Sequence, residues 1–208
     1  MAYQFPDSVL LVFCKAPIAG QVKTRLQPEL SAEQAVAAHI NLTWMTLDRA
    51  FQQQFCPVVL CCSPDSEHSF FQQCAKDYPL MLTQQYGNDL GERMHNALTE
   101  ALSKYRHAVL MGCDCPSLTV VDLEQALLML HTGSDVVMAP TEDGGYVLIG
   151  LNEPQPNLFY GMTWSTAHVM LETRHRIAKA RLKLYELDKQ WDVDTIADWQ
   201  RYGLLEKK

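Results

Sequence analysis

Three cations fall within the eleven positions Lys15-Ala16-Pro17-Ile18-Ala19-Gly20-Gln21-Val22-Lys23-Thr24-Arg25. Lysine offers a phosphate a point charge, and arginine offers a planar fork. Gly20 permits close backbone approach, and Pro17 stiffens the turn. Lys15, Gly20, Lys23, Thr24 and Arg25 are therefore candidates to cradle a diphosphate or triphosphate. The spacing is not that of the Gly-x4-Gly-Lys-Ser/Thr phosphate loop, and a solvated basic loop is the plain alternative.

Acids follow at three places. In Met111-Gly112-Cys113-Asp114-Cys115-Pro116 an apolar run leads into Asp114, and Pro116 turns the chain away. A carboxylate placed there suits Mg²⁺ or Mn²⁺, which prefer oxygen ligands and often bind one or two carboxylates plus substrate phosphates. In Trp191-Asp192-Val193-Asp194-Thr195 the two acids face one side of an extended chain, so Asp192 or Asp194 could complete a metal site with Asp114. In Thr141-Glu142-Asp143-Gly144-Gly145-Tyr146 two carboxylates precede a Gly-Gly turn. They could accept hydrogen bonds from sugar or acceptor hydroxyls, or act as a general base. For all three, a capping or exposed acid is the competing reading. In Gly87-Asn88-Asp89-Leu90-Gly91-Glu92-Arg93, Gly91 opens a predicted helix whose N-terminus favours anionic groups, with Arg93 in its first turn. The alternative there is an N-cap by Asn88 or Asp89 with a surface arginine. His95, His107, His131 and His168 lack metal-ligand spacing and read as structural.

Short apolar runs alternate with longer amphipathic segments. Strands are predicted at Val9–Phe13, Val58–Cys62, Leu80–Leu82, Ala108–Met111, Val136–Ala139 and Tyr146–Ile149. Helices are predicted at Ala32–Gln53, Ser66–Lys76, Gly91–Tyr105, Val120–Leu130 and Thr166–Lys179. Ser31 with Gln34 has capping-box spacing, Asp65 or Ser66 suits the start of the second helix, and Thr119 suits the fourth. This alternation predicts an α/β protein with a mostly parallel sheet covered on both faces, as one domain over residues 1–208. In such sheets ligands bind beyond the carboxyl ends of the strands, where most of the clusters above fall.

Bulk properties narrow the function. The chain has 208 residues, 48% hydrophobic and 20% charged, with a formal net charge of -7. Length and composition suit one globular core, and the acidic balance argues against nucleic acid as a partner. Seven cysteines, including Cys61-Cys62 and Cys113-Asp114-Cys115, do not suit a disulfide framework and are expected reduced and buried. No secretory pattern opens the chain, and Val9–Phe13 is far too short to span a membrane. A cytoplasmic protein is expected, its oligomeric state open, with a dimer among the options.

Six segments in order carry a resemblance. They are Phe13-x-Lys15-x-Pro17-x-x-Gly20-x-x-Lys23-Thr24-Arg25-Leu26, Leu90–Met94, Gly112-x-Asp114-x-Pro116-x-Leu118, Glu142–Tyr146, Trp164-Ser165-Thr166 and Asp192-x-Asp194-Thr195. Together they resemble the bacterial glycosyltransferase-like family often found beside radical-SAM proteins and named for a proposed arsenosugar role. That resemblance implies a GT-A (nucleotide-diphospho-sugar transferase) fold, similar to molybdenum-cofactor and phospholactate guanylyltransferases. It implies that Lys15, Gly20, Lys23, Thr24 and Arg25 meet nucleotide phosphates, with Gly91 and Arg93 near the base. Asp114 would be the strand-end ligand of Mg²⁺ or Mn²⁺, with Asp194 or Asp192 as the second acid. Glu142, Asp143, Gly144, Gly145, Tyr146, Trp164 and Ser165 would face sugar or acceptor. Cys113 departs from the family wording, which has a small polar residue there.

The expected activity is a metal-dependent transferase acting on a nucleotide sugar and a small-molecule acceptor. Lys23 and Arg25 would stabilise charge on the departing phosphates, and Asp143 would deprotonate the acceptor hydroxyl. The alternatives are a nucleotidyltransferase joining an NTP to a phosphorylated acceptor and a non-catalytic nucleotide-binding protein.

Overall fold

A computed structural model describes residues 2–27 and 29–205. The strands are β1 (Ser8–Lys15), β2 (Val58–Ser63), β3 (Met81–Gln84), β4 (His107–Gly112), β5 (Val136–Pro140), β6 (Tyr146–Leu151) and β7 (Leu184–Glu186). The helices are α1 (Ala32–Phe51), α2 (Ser69–Asp77), α3 (Leu90–Leu102), α4 (Val120–His131), α5 (Val169–Ala180) and α6 (Ile196–Leu205).

The strands form one sheet in the order β3-β2-β1-β4-β6-β5-β7. β1 pairs in parallel with β2 and with β4, as do β2 with β3 and β5 with β7. β6 runs antiparallel to both its neighbours, β4 and β5.

The near-continuous apolar sequence of β1 is explained by burial on both faces. Leu10, Val12 and Cys14 pack into a core that includes Leu47 of α1, Phe71 of α2 and Leu127 of α4. Val9 and Leu11 pack into a second core with Leu98 of α3 and Ile177 of α5. Val9, Leu10 and Val12 are fully buried, and each such side chain stabilises the fold by about 1.5–3 kcal/mol relative to exposure. The result is a three-layer α/β/α arrangement, as expected.

Local start signals explain the helices. Ser31 and Gln34 form a capping box on α1, and Thr119 and Asp122 form one on α4. Asp89, not Asn88, caps α3 by accepting the Glu92 N–H at 2.8 Å. The second helix starts at Ser69 rather than Ser66. Asp65 spends its carboxylate on the Glu67 N–H at 2.8 Å, and His68 supplies the cap through Nδ1 to the Phe70 N–H at 3.2 Å. The fifth helix starts at Val169 rather than Thr166.

β7 has no counterpart among the sequence expectations, whereas α6 follows Thr195, a residue suited to start a short helix. β7 is three residues long, and its pattern is too short to carry a period. α6 is started by Asp198, whose carboxylate accepts the Thr195 N–H at 2.8 Å.

All seven cysteines are buried and free. His107 and His131 pack ring on ring, 4.2 Å apart, and His95 packs against Phe159 and Tyr160. Among the described residues no helix is long and apolar enough to cross a membrane.

Candidate active site

The topology itself selects a location. β2 and β4 flank β1 on opposite sides, so the connections diverge there, and a crevice opens at the carboxyl ends of β1 and β4. Lys15 ends β1, and Asp114 follows β4 by two residues.

The basic loop returns to this crevice. Lys23 adopts φ 48, a left-handed conformation that costs a non-glycine residue on the order of 1 kcal/mol. Its ammonium is thereby aimed inward. Lys23 Nζ donates to Asp114 Oδ2 at 2.7 Å, to the Val193 carbonyl at 2.6 Å and to Asp194 Oδ1 at 3.4 Å. The lysine side chain is 6% exposed. Arg25 NH1 reaches the other oxygen of Asp194 at 3.0 Å.

The segment 191–194 is tied down on the sheet side. The Val193 N–H donates to the Asp114 carbonyl at 3.0 Å, and the Trp191 N–H donates to Ser117 Oγ at 2.9 Å. Arg49 of α1 clamps the loop after β4, donating to the Cys115 carbonyl at 3.0 Å and the Pro116 carbonyl at 3.2 Å.

Electrostatics follow from this geometry. Burial opposes the charge on Lys23, but the Asp114 carboxylate, by charge and hydrogen bond, and then Asp194 outweigh it, so the lysine pKa is raised. Burial likewise disfavours the Asp114 carboxylate, and Lys23 reverses this, holding Asp114 below the usual carboxylate range. Among the described residues Asp192 has no such partner. Burial, then the charges of Asp114, Asp194 and Asp143, push its carboxyl up to about 7.

Two hollows open here. The first, about 360 Å³, is lined by Lys15, Lys23, Thr24, Arg25, Asp114 and Asp194. The second, about 290 Å³, is lined by Asp143, Gly145, Tyr146, Trp164, Ser165 and Asp192. Arg25, Leu90 and Asp194 line both, forming the seam between them.

The structure thus gathers most of the sequence candidates and leaves five outside the two linings. Gly20 turns the basic loop at φ 77. Gly144 turns the chain at φ 90, where a Cβ would lie 2.2 Å from the Ala167 carbonyl oxygen. Gly91 supports the second hollow from behind, since a Cβ there would lie 2.6 Å from the Trp164 ring. Arg93 points away, donating to the Gly87 carbonyl at 3.1 Å and to Ser63 Oγ at 3.4 Å, and lines a separate hollow between β3 and α3. Glu142 is exposed and paired with Arg201 at 2.9 Å. Asp143, by contrast, is oriented inside the second hollow. Its Oδ1 accepts from Thr141 Oγ1 and from the Gly145 N–H at 3.1 Å.

Sequence reasoning passed over His39. It lies on the buried stripe of α1 with Ala35, Ala38 and Leu42, and a polar residue on such a stripe was the available signal. His39 lines the first hollow, and its Nε2 hydrogen-bonds to the Lys15 carbonyl at 2.9 Å. Burial lowers its pKa despite that bond, keeping the imidazole neutral.

Asp114, Asp192 and Asp194 carry hard oxygens of the kind Mg²⁺ or Mn²⁺ prefers, but their carboxylates do not form a group with donor atoms within 4.8 Å of one another, and Lys23 Nζ stands between Asp114 and Asp194. Cys14, His39 and Cys113 offer a soft set, with ligand atoms within 4.8 Å of one another. There, however, His39 Nε2 is already engaged by the Lys15 carbonyl.

The sheet order, the single reversed strand and the crevice beyond β1 and β4 define the nucleotide-diphospho-sugar transferase fold. A protein from Desulfovibrio desulfuricans G20, described provisionally as a nucleotide-diphospho-sugar transferase, superposes with a TM-score of 0.83 at 30% identity, over 92% of this chain and 84% of that one. The profile of DUF2064, described as an uncharacterized protein conserved in bacteria, matches residues 46–166, and the chain belongs to that family.

More distant structures share the fold. CMP:2-keto-3-deoxy-manno-octonic acid synthetase complexed with CTP superposes with a TM-score of 0.62 at 11% identity, over 97% of this chain and 98% of that one. Rv0371c from Mycobacterium tuberculosis H37Rv, in complex with manganese, gives a TM-score of 0.57 at 16% identity, over 94% and 97%. No curated protein matches the chain.

Proposed function

We propose that the protein transfers a glycosyl group from a nucleotide-diphospho-sugar to a hydroxyl of a small-molecule acceptor. The observation that carries this reading is the seam. Arg25 and Asp194 border both hollows, so a diphosphate held in the first places its sugar at the mouth of the second.

Lys15, Thr24 and Arg25 bind the donor phosphates. Asp114 and Asp194, with Asp192 beside them, would hold a Mg²⁺ or Mn²⁺ ion, which would supply positive charge to the diphosphate. Lys23 and Arg25 stabilise the negative charge that grows on the diphosphate as its bond to the anomeric carbon breaks. The acceptor oxygen bonds to that carbon, and Asp143 takes the hydroxyl proton. Thr141 and the Gly145 N–H keep the Asp143 carboxylate oriented for this.

Nucleotidyl transfer from an NTP is the second reading, favoured by the near full-length likeness to the CTP-bound synthetase. In either reading residues 1–208 work as one domain. The seven free cysteines suit a reducing compartment, the cytoplasm.

The test is a thermal-shift screen of nucleotides and nucleotide sugars with and without Mn²⁺, followed by product analysis. Release of nucleoside diphosphate supports the proposal, and release of pyrophosphate replaces it with the second reading. Binding without turnover leaves a nucleotide-binding role.

A further inference from the structure

Cys113, which departs from the family wording and has no part in the proposed function, stands beside Cys14. β1 and β4 run in parallel and Phe13 pairs with Gly112, so the next residue along each chain is a cysteine. Both cysteines belong to the core that includes Leu47 of α1, and α1 presents His39 to them. The ligand atoms of Cys14, Cys113 and His39 lie within 4.8 Å of one another. Among the described residues no other three side chains of this kind converge so closely. All three line the first hollow, so the group is buried yet borders a space open to an entering ion.

Cys14 Sγ lies 3.7 Å from His39 Nε2. Both atoms turn to the Lys15 carbonyl, the sulfur at 3.4 Å and the nitrogen at 2.9 Å. Those hydrogen bonds are what an ion must displace. A neutral hydrogen bond contributes little net of its exchange with water, whereas two thiolates and an imidazole are a strong donor set for a borderline or soft cation. Two thiolates also cancel the charge of a divalent ion, and burial penalises an uncompensated charge. Mg²⁺ and Mn²⁺ prefer oxygen donors and gain nothing from sulfur.

We infer that Cys14, Cys113 and His39 form a binding site for a thiophilic divalent cation of the Zn²⁺ or Cd²⁺ class in the wall of the first hollow. Both thiols release their protons to solvent as the ion binds. The fourth position of its tetrahedron opens to the hollow, where water fills it. The inference goes beyond the proposed function and stands without it, because its test reads the ion alone.

The test titrates the full chain, reduced and metal-free, with Cd²⁺ and follows the ultraviolet sulfur-to-metal charge-transfer band. The first equivalent is expected to give the band. Cys14→Ser and Cys113→Ser should each weaken binding by at least the roughly 100-fold that changes to groups merely supporting a ligand can reach, and His39→Gln by about tenfold or more. Serine suits position 113, where the resemblance has a small polar residue, so that variant decides the matter even if Cys14→Ser fails to fold. Excess Mn²⁺ should leave the band unchanged. The inference is overturned by the absence of a band, by wild-type affinity in Cys113→Ser or His39→Gln, or by loss of the band to Mn²⁺.

Discussion

Lys23 Nζ and Asp114 Oδ2 lie 2.7 Å apart, joining the loop after β1 to the loop after β4 across 91 positions of sequence. The same ammonium touches Asp194. The lysine therefore stands as internal counter-ion between two acids that the proposed function assigns to a divalent cation.

Lys23→Ala separates these roles. Transfer activity should fall by about 100-fold or more, as when one preorganised charge-stabilising donor is removed. Without nucleotide, Mn²⁺ should bind about tenfold tighter, about 1.4 kcal/mol, because a competing cation has gone. Electron paramagnetic resonance of free Mn²⁺ measures this. Weaker binding would show that the lysine supports the cation site rather than competing for it.

Asp192 predicts a pH effect on stability in metal-free buffer. Its folded pKa of about 7 lies above its ordinary 3.8, so between these values the folded state holds a proton that the unfolded state has lost. This group's contribution is most favourable below about pH 4 and is lost as pH rises toward 7. The upper bound is about 4 kcal/mol, reduced by the solvent reaching this half-buried side chain. Urea unfolding at pH 5 and pH 8 in EDTA should show Asp192→Asn gaining on the wild type at the higher pH. Parallel curves would contradict the crowding of acids around position 192.

Asp143→Asn keeps the size of the side chain and removes its basicity. Turnover should drop by roughly 10²–10⁴-fold with donor KM nearly unchanged. Steady-state kinetics with varied nucleotide sugar is the measurement, and full activity would remove Asp143 from the base role.

Gly144→Ala puts a Cβ 2.2 Å from the Ala167 carbonyl oxygen at a φ of 90. Destabilisation of about 3 kcal/mol is expected, read as a lower urea midpoint. The Gly144 carbonyl accepts the Met170 N–H at 2.9 Å, so the start of α5 should loosen with it.

Much of this was legible in the sequence because the signals were local. The apolar run of β1, the boxes at Ser31 and Thr119, and Asp114 just past an apolar strand each announce themselves within a few residues. What stayed hidden depends on contacts across long separations. Arg93 follows a predicted helix start and looked available, yet Ser63, 30 positions away, holds it elsewhere. Glu142 and Asp143 are indistinguishable as a pair of acids until Arg201, 59 positions on, claims the first. No periodicity marks the division into two hollows, since Arg25 and Asp194 meet only after 169 positions of chain have folded back.

The reversal of β6 has one further outcome. Because that strand begins where β4 ends, the 141–146 hairpin and the 164–169 segment decorate the crevice without contributing to the parallel run β3-β2-β1-β4. Under the proposed function, changes in those two segments act first on the acceptor side, although the 141–146 hairpin is also bonded to Gln190, at the start of the segment that carries Asp192 and Asp194. In that reading, engineering toward a new acceptor begins with these two segments and leaves the basic loop after β1 as it is.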